Sequence, residues 1–166
     1  NFIDKPVLWR MLIVVAGAAM NILLAIILLF IMGLVVFKTP IHITALATVK
    51  TAGFIVKSIF SSLQGIVIEG TTDFVGPIGM VAVVGEAMKT SGMLLFYTAL
   101  ISINLGIVNL LPIPGLDGSR ILFLIIEVIQ RKPINPKKEA IVHGIGAVFL
   151  LILMVLITYQ DIIRFL

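Results

Sequence analysis

The chain of 166 residues is 60% hydrophobic and only 12% charged, with a mean hydropathy of +1.23. Soluble domains carry about 25% charged residues, so this composition excludes an ordinary water-soluble domain and indicates a protein embedded in a lipid bilayer. The net charge of +4 comes with no basic and aromatic stripe, so nucleic acid is not an expected partner, and the lack of cysteine excludes disulfides and thiolate metal sites within this chain. We predict an all-α, polytopic membrane helix bundle forming a single membrane domain over residues 1–166.

Long uncharged runs predict about three transmembrane helices. The lead-in at residues 1–10 ends in Trp9 and Arg10, residue types that favour a membrane boundary. Residues 11–37 carry no charge and predict the first span, which as a helix would be about 40 Å long, more than the ~30 Å hydrocarbon core. Small residues precede Asn21 in this span. They predict a close helix contact with Asn21 hydrogen bonded across it, or alternatively a place in a functional site.

The middle of the chain is more polar and predicts an extramembrane or interfacial segment over residues 38–90. Residues 38–50 are expected to leave the membrane. Apolar spacing over residues 51–69 predicts an amphipathic helix. Because Lys57 and Gln64 lie within that helix, we expect it to rest on the membrane surface and not to cross.

The second half of the chain alternates between apolar runs and turn-forming stretches. A turn-rich connector at residues 70–79 contains a Gly-Pro dipeptide. The second span is predicted at 93–111, with a helical continuation at 119–130, and the third span at 140–158. Between the last two lies the stretch 131–138, which has two prolines and four cations and predicts a loop.

Positive charge near the ends of the spans predicts the orientation in the membrane. With three spans, residues 1–10 and residues 131–138 lie on the same side. The four cations of the second group mark that side as cytoplasmic.

A break in the helix is expected between residues 104 and 120, at the end of the second span. Pro112 and Pro114 have no backbone N–H and cannot continue a regular helix. Gly115 and Gly118 allow the broken backbone to turn without steric cost. Irregular backbone at membrane depth is tolerated only where protein or a wet cavity satisfies its polar groups, so this stretch is the predicted functional region.

Asp117 is the ionisable residue of the predicted break. One interpretation is structural: its carboxylate caps the helix at 119–130 by accepting backbone N–H bonds. The other is functional, since an ionisable residue at membrane depth is costly, and Asp117 would then face a metal or a transported cation. Asn104 and Asn109 lie on the approach to it and could face the same cavity.

The ten residues 109–118, N-L-L-P-I-P-G-L-D-G, resemble the N-x-x-P-x-P-x-L-D-G motif of the site-2 protease family, the intramembrane zinc metalloproteases. The likeness is to the bacterial regulator-of-sigma-E type in particular. It extends, in the family's order, to K-P-V-L-W-R-M-L-I-V-V-A-G-A-A-M-N at 5–21, F-V-G-P-I-G-M at 74–80 and S-R-I-L-F-L-I-I-E at 119–127.

This resemblance implies a role for each residue of the motif. Asp117 would complete a Zn²⁺ site, and Asn109, Pro112 and Pro114 would hold an unwound substrate beside the metal. Three further residues are expected to have structural roles near the site: Asn21, Asn104 and Gly118.

The chain departs from the family pattern in lacking H-E-x-x-H, the helix motif that supplies the other two zinc ligands and the general base. In the family this helix precedes the A-G-x-x-x-N span, so we expect it upstream of this chain, with no catalytic base here and no activity from the chain alone. His42 and His143 are not expected to replace it, and His143 is expected to pack at the interface. Residues 38–50 leave no room for a PDZ domain, and Ala18 stands where the family often has proline.

Three functional hypotheses from different classes are compatible with the sequence. The first is the C-terminal portion of a site-2-type intramembrane zinc metalloendopeptidase of the bacterial inner membrane, which cleaves transmembrane protein substrates in regulated intramembrane proteolysis. The second is a small ion-coupled transporter, because broken helices with polar residues suit coupling-ion sites. The third is a non-catalytic membrane scaffold that keeps the protease fold.

Overall fold

The computed structural model describes residues 6–69, 79–81, 84–85, 88–130, 132 and 134–165, and its regular elements there are all helical. The long helices are α1 (Val7–Ile31), α2 (Ile41–Glu69), α3 (Ser91–Leu110), α4 (Asp117–Gln130) and α5 (Pro136–Phe165). Four stretches are long and apolar enough to cross a membrane: Val7–Val36, Ile41–Ser62, Gly92–Leu110 and Lys137–Ile163. The predicted all-α membrane bundle is confirmed. The predictions for residues 1–5, for Arg131 and for most of the 70–79 connector fall outside the described residues.

The helices contribute to two compact units. The first contains Asn1–Met20 and Leu105–Met154, and the second contains Asn21–Asn104 and Val155–Leu166. The first unit therefore holds residues 105–120 of the predicted break, including the motif residues 109–118. The single membrane domain over residues 1–166 stays a prediction.

A tight turn in the second unit joins α1 to α2. After α1 the chain makes a π-helical turn over Met32–Val36, and Lys38 adopts a positive φ of 50°. The backbone N–H and the hydroxyl of Thr39 both donate to the carbonyl of Gly33, at 3.1 and 3.0 Å. A Cβ on Gly33 would lie 2.5 Å from Cγ2 of Thr44, so only glycine lets the two helices come this close.

Helix α2 differs from the prediction in its start and in its pattern of exposure. It begins at Ile41, so the predicted boundary at residue 51 is wrong, and the number of long apolar helices is four and not about three. Thr44 and Thr48 are buried, 1% and 5% exposed. The exposed side chains of this stretch include large apolar ones: Ile43, Leu46, Val49 and Phe54. Thr44 and Thr48 thus lie inside this unit, while Lys50 and Lys57 of the same helix are exposed. The extramembrane or interfacial placement of residues 38–90 stays a prediction.

Helices α1 and α3 each bury a small residue in the second unit and are joined there by a hydrogen bond. Ala25 and Ala99 are fully buried, and Ile103 is 1% exposed. The hydroxyl of Ser102 donates to the backbone carbonyl of Asn21 at 2.7 Å. The hydrogen bond predicted across this contact is therefore present, but it uses the carbonyl of Asn21 and not its side chain.

The last turns of α5 also belong to the second unit and carry a buried carboxylate. Asp161 is 2% exposed, and its Oδ2 accepts the backbone N–H of Gly79 at 2.9 Å. A buried carboxylate is retained where it satisfies a backbone donor. This bond fixes the position of Gly79 against α5.

In the first unit, an ion pair joins the first turn of α1 to the last turn of α4. Nη2 of Arg10 lies 2.5 Å from Oε1 of Glu127, with the two side chains 12% and 15% exposed. Nε of Arg10 is buried and has no hydrogen-bond partner among the described residues. Glu127 therefore provides the main interaction that offsets the desolvation of the Arg10 guanidinium group.

We expect the Glu127→Leu substitution to destabilise the protein, because it leaves the Arg10 guanidinium without its carboxylate. Removing one partner of a buried ion pair costs about 3 kcal/mol, whereas replacing both partners with apolar residues is often nearly neutral. The double variant Arg10→Met/Glu127→Leu should therefore regain most of the lost free energy of unfolding. Thermal unfolding of the purified single and double variants in detergent measures both changes in the free energy of unfolding. A double variant less stable than Glu127→Leu would contradict this role for the pair.

Candidate functional site

Six residues, 111–116, separate the end of α3 from the start of α4. Short turns satisfy part of their backbone: the N–H of Ile113 donates to the carbonyl of Leu111 at 2.7 Å, and the N–H of Leu116 donates to the carbonyl of Ile113 at 3.1 Å. Both prolines of the segment are exposed. The break predicted at this motif is confirmed, and it arises because two prolines within three residues remove the donors that a helix needs.

Close backbone contact holds the break against α5. Gly115 has a φ of +98°, a conformation that favours glycine. Opposite it lies Gly146, which is buried, and a Cβ built there would collide with the backbone of Pro114 and lie 2.6 Å from the backbone nitrogen of Gly115. Gly118 is similarly constrained, because a Cβ there would collide with the carbonyls of the last turn of α3. These glycines allow the irregular segment to pack without a gap.

The break meets α5 well inside that helix. Helix α5 begins at Pro136, so Gly146 lies ten residues further on, roughly 15 Å along the axis at 1.5 Å per residue. That distance is about half of the ~30 Å hydrocarbon core. The break therefore meets α5 far from its first turn.

Asp117 is the first residue of α4 and is exposed. Its carboxylate has no hydrogen bond or ion pair within the part of the chain that the structure describes. The predicted cap by Asp117 is therefore not observed. Instead Ser119 donates its hydroxyl to the carbonyl of Leu116 at 2.8 Å. The N-terminus of α4 still favours a negative charge at residue 117 through the helix dipole.

The other predicted site residues divide between the two units. Asn109, in the last turn of α3, is half-buried, and with Pro112, Pro114 and Gly118 it belongs to the same unit as Asp117. The two further asparagines, Asn21 and Asn104, belong to the second unit, and their roles near the site stay predictions.

His143 makes a contact that the sequence does not reveal. Its Nε2 lies 3.0 Å from Oγ of Ser119, and its ring centroid lies 6.4 Å from that of Phe123. The prediction of a packing role thus missed a specific polar bond two residues from Asp117. A lone histidine in an apolar run gives no signal for this, because the partner lies on a different helix, 24 positions earlier in the chain.

The described residues fit part of a metal site. No group of three His, Cys, Asp or Glu side chains among them lies close enough to hold a metal ion. A protein zinc site of catalytic type uses three protein ligands and one open position. The uncommitted carboxylate of Asp117 has the right chemistry for one of these ligands, and Nε2 of His143 in the same unit is bonded to Ser119.

Comparison with known proteins identifies the class that this fold and site define. Residues 1–153 match Peptidase family M50. Over 90 residues, 54% of this chain and 21% of the relative, the chain is 54% identical to the regulator of sigma-W protease RasP of Bacillus subtilis. It is 40% identical over 129 residues to a candidate zinc metalloprotease of Thermotoga maritima, covering 76% of this chain and 26% of that protein.

This chain has several helices long and apolar enough to cross a membrane, one of them interrupted at an L-D-G sequence. The relatives that it matches include proteins named as zinc metalloproteases. The chain belongs to Peptidase family M50, the site-2 protease family. Its matched part amounts to about a fifth of the length of RasP, with 21% of that protein covered. The family resemblance drawn from the motif is confirmed.

Proposed function

We propose that this chain forms the C-terminal, metal-completing part of an intramembrane zinc metalloendopeptidase that cleaves transmembrane protein substrates. The observation that carries the proposal is the carboxylate of Asp117, exposed and uncommitted at the interrupted helix of an M50 chain. The remaining zinc ligands and the general base come from outside this chain. The chain by itself is therefore inactive.

Some residues of this chain bind the metal and others bind the substrate. Asp117, the first residue of α4, supplies an oxygen ligand. Zinc, when bound, lowers the pKa of a water molecule and polarises the scissile carbonyl. The amide of Asn109 both donates and accepts hydrogen bonds, which suits a peptide group of the substrate. Pro112 and Pro114 keep the segment out of a regular helix and are themselves exposed, so that an unwound substrate can lie along it.

The proposed orientation places residues 1–10 and residues 131–138 on the cytoplasmic side of a bacterial inner membrane. Charge supports it, since four cations lie in 131–138. The ion pair between Arg10 and Glu127 gives further support, because it brings the start of α1 next to the end of α4, and Glu127 lies four residues before the cationic stretch 131–138.

Reconstitution of the complete protein in lipid vesicles with a transmembrane substrate tests the proposal. We expect cleavage that stops when a chelator removes zinc and returns when zinc is added back. Uptake of a solute that depends on Asp117 but not on zinc would instead indicate a transporter. Binding of the substrate without cleavage, with zinc present, would indicate a scaffold.

A further inference from the structure

One face of α5 contacts the chain on both sides of Asp117. Before Asp117, the backbone of Gly146 and Ala147 lies against the backbone of the break. After Asp117, His143 contacts the first turns of α4, and Glu139 lies 3.7 Å from Arg120. These α5 positions recur every three or four residues and so lie on one helix face. Asp117 is thus bracketed by contacts to a single, regular helix.

The direction of the bond between His143 and Ser119 follows from the other bond that the serine hydroxyl makes. A serine hydroxyl has one hydrogen to donate. Ser119 gives it to the carbonyl of Leu116 at 2.8 Å. Oγ of Ser119 must then accept at its second contact, 3.0 Å away, so Nε2 of His143 carries a hydrogen and donates it.

Burial makes this bond important for the position of the first turn of α4. Ser119 is 3% exposed, so water does not readily replace a lost partner. Leaving a buried polar group unpaired costs about 1–3 kcal/mol. Ser119 and Asp117 belong to the same helical turn. A shift of Ser119 therefore moves the backbone that carries Asp117.

We propose that His143 is a positioning residue for Asp117: its Nε2–H holds Ser119, and Ser119 holds the first turn of α4 with the carboxylate in place. The proposal rests on the proposed function, in which Asp117 is a zinc ligand. Groups that orient a ligand without touching the metal typically contribute 10- to 100-fold in metal affinity or activity. His143 acts here through the backbone and not through a bond to the carboxylate.

Two substitutions at His143 separate the hydrogen bond from simple packing. His143→Phe keeps a ring against Phe123 and removes the donor, whereas His143→Gln keeps an N–H donor and loses the ring. In the complete protein we expect His143→Phe to lower zinc affinity and kcat by about 10- to 100-fold with little change in KM. His143→Gln should retain most of the zinc affinity and most of kcat. His42→Phe, a change of the same kind at an exposed position of α2, should behave as the unchanged protein.

Zinc-free protein gives a readout that does not depend on activity. Amide hydrogen exchange in the first turn of α4 should be faster in His143→Phe than in His143→Gln, because local opening there becomes easier. Ser119→Ala removes the same bond, so the double variant His143→Phe/Ser119→Ala should be no worse than either single change.

Different outcomes test the positioning role of His143 and the proposed function on which it rests. Equal zinc affinity and equal exchange in His143→Phe and His143→Gln would overturn the positioning role, as would additive losses in the double variant. If cleavage persists undiminished when Asp117 itself is replaced by asparagine, the proposed function fails and His143 has no ligand to position.

Discussion

In the complete protein, we expect replacement of Asp117 by asparagine to abolish cleavage of a transmembrane substrate and to weaken zinc binding. The amide is nearly the same size as the carboxylate but carries no charge, so folding is little affected at an exposed position with no bonds to the described protein. Outer-shell partners of metal ligands are worth 10- to 100-fold, so loss of a direct ligand should cost more than about 100-fold in kcat/KM. Zinc affinity is measured by competition with a chelator in detergent.

Glu139→Gln provides the matched control for this prediction. Glu139 is also a carboxylate near the start of α4, where it lies 3.7 Å from Arg120 with its side chain 32% exposed. Exposed ion pairs contribute little to stability, so its neutralisation should leave activity within about twofold. Similar losses in both variants would show that net charge, and not a ligand at residue 117, controls the reaction.

Gly146→Ala is expected to have the second large effect, because a single methyl group meets the backbone of the break. The atoms opposite are those of Pro114 and Gly115, and backbone cannot move aside as a flexible side chain can. Overpacking of this kind costs about 1–3 kcal/mol in stability. A displacement of about 1 Å near a reacting centre can reduce the rate 100-fold, so activity should fall at least tenfold even where the protein still folds.

Gly144 is a control two residues away on the same helix. A Cβ at Gly144 meets nothing within 4 Å. Gly144→Ala should therefore stabilise α5 slightly, by about 0.5–1 kcal/mol, because alanine favours the helix interior. Activity and thermal unfolding of the two variants are compared side by side. If Gly146→Ala matches Gly144→Ala in both measurements, the close contact between α5 and the break is not needed.

The break was predictable from the sequence because its causes are local. Pro112 and Pro114 remove donors wherever they lie in a helix, and Gly115 supplies the one backbone conformation of the turn that favours glycine. The predicted range of 104–120 contains the observed irregular residues 111–116. The start of the following helix differs by only two residues, since α4 begins at Asp117 and not at residue 119.

The start of α2 was not predicted, because residues 38–50 were expected to leave the membrane. Thr44 and Thr48 lie in that stretch, yet both are buried. The hydroxyl of Thr44 lies 3.1 Å from the carbonyl of Pro40, one helical turn back. Sequence periodicity gives the faces of a helix but does not show which face is buried. In water the apolar face is buried, whereas in lipid the polar face is.

The contacts around Asp117 were not predictable because they join distant parts of the chain. Gly146 lies against the irregular backbone at Pro114, 32 positions earlier. Likewise, the bond between Ser119 and His143 depends on how α4 and α5 pack. Such contacts follow from tertiary structure, whereas a motif reports only residues that are close along the chain.

Coordination of a metal by residue 117 can be measured directly in the variant Asp117→Cys loaded with Co²⁺. Cobalt occupies zinc sites and reports its ligands in its absorption spectrum, and this chain contributes no other cysteine. If residue 117 is a ligand, the variant should show a sulfur-to-cobalt charge-transfer band in the near ultraviolet that the unchanged protein lacks. A variant that binds cobalt as the unchanged protein does, with no such band, would contradict a metal ligand at the interrupted helix.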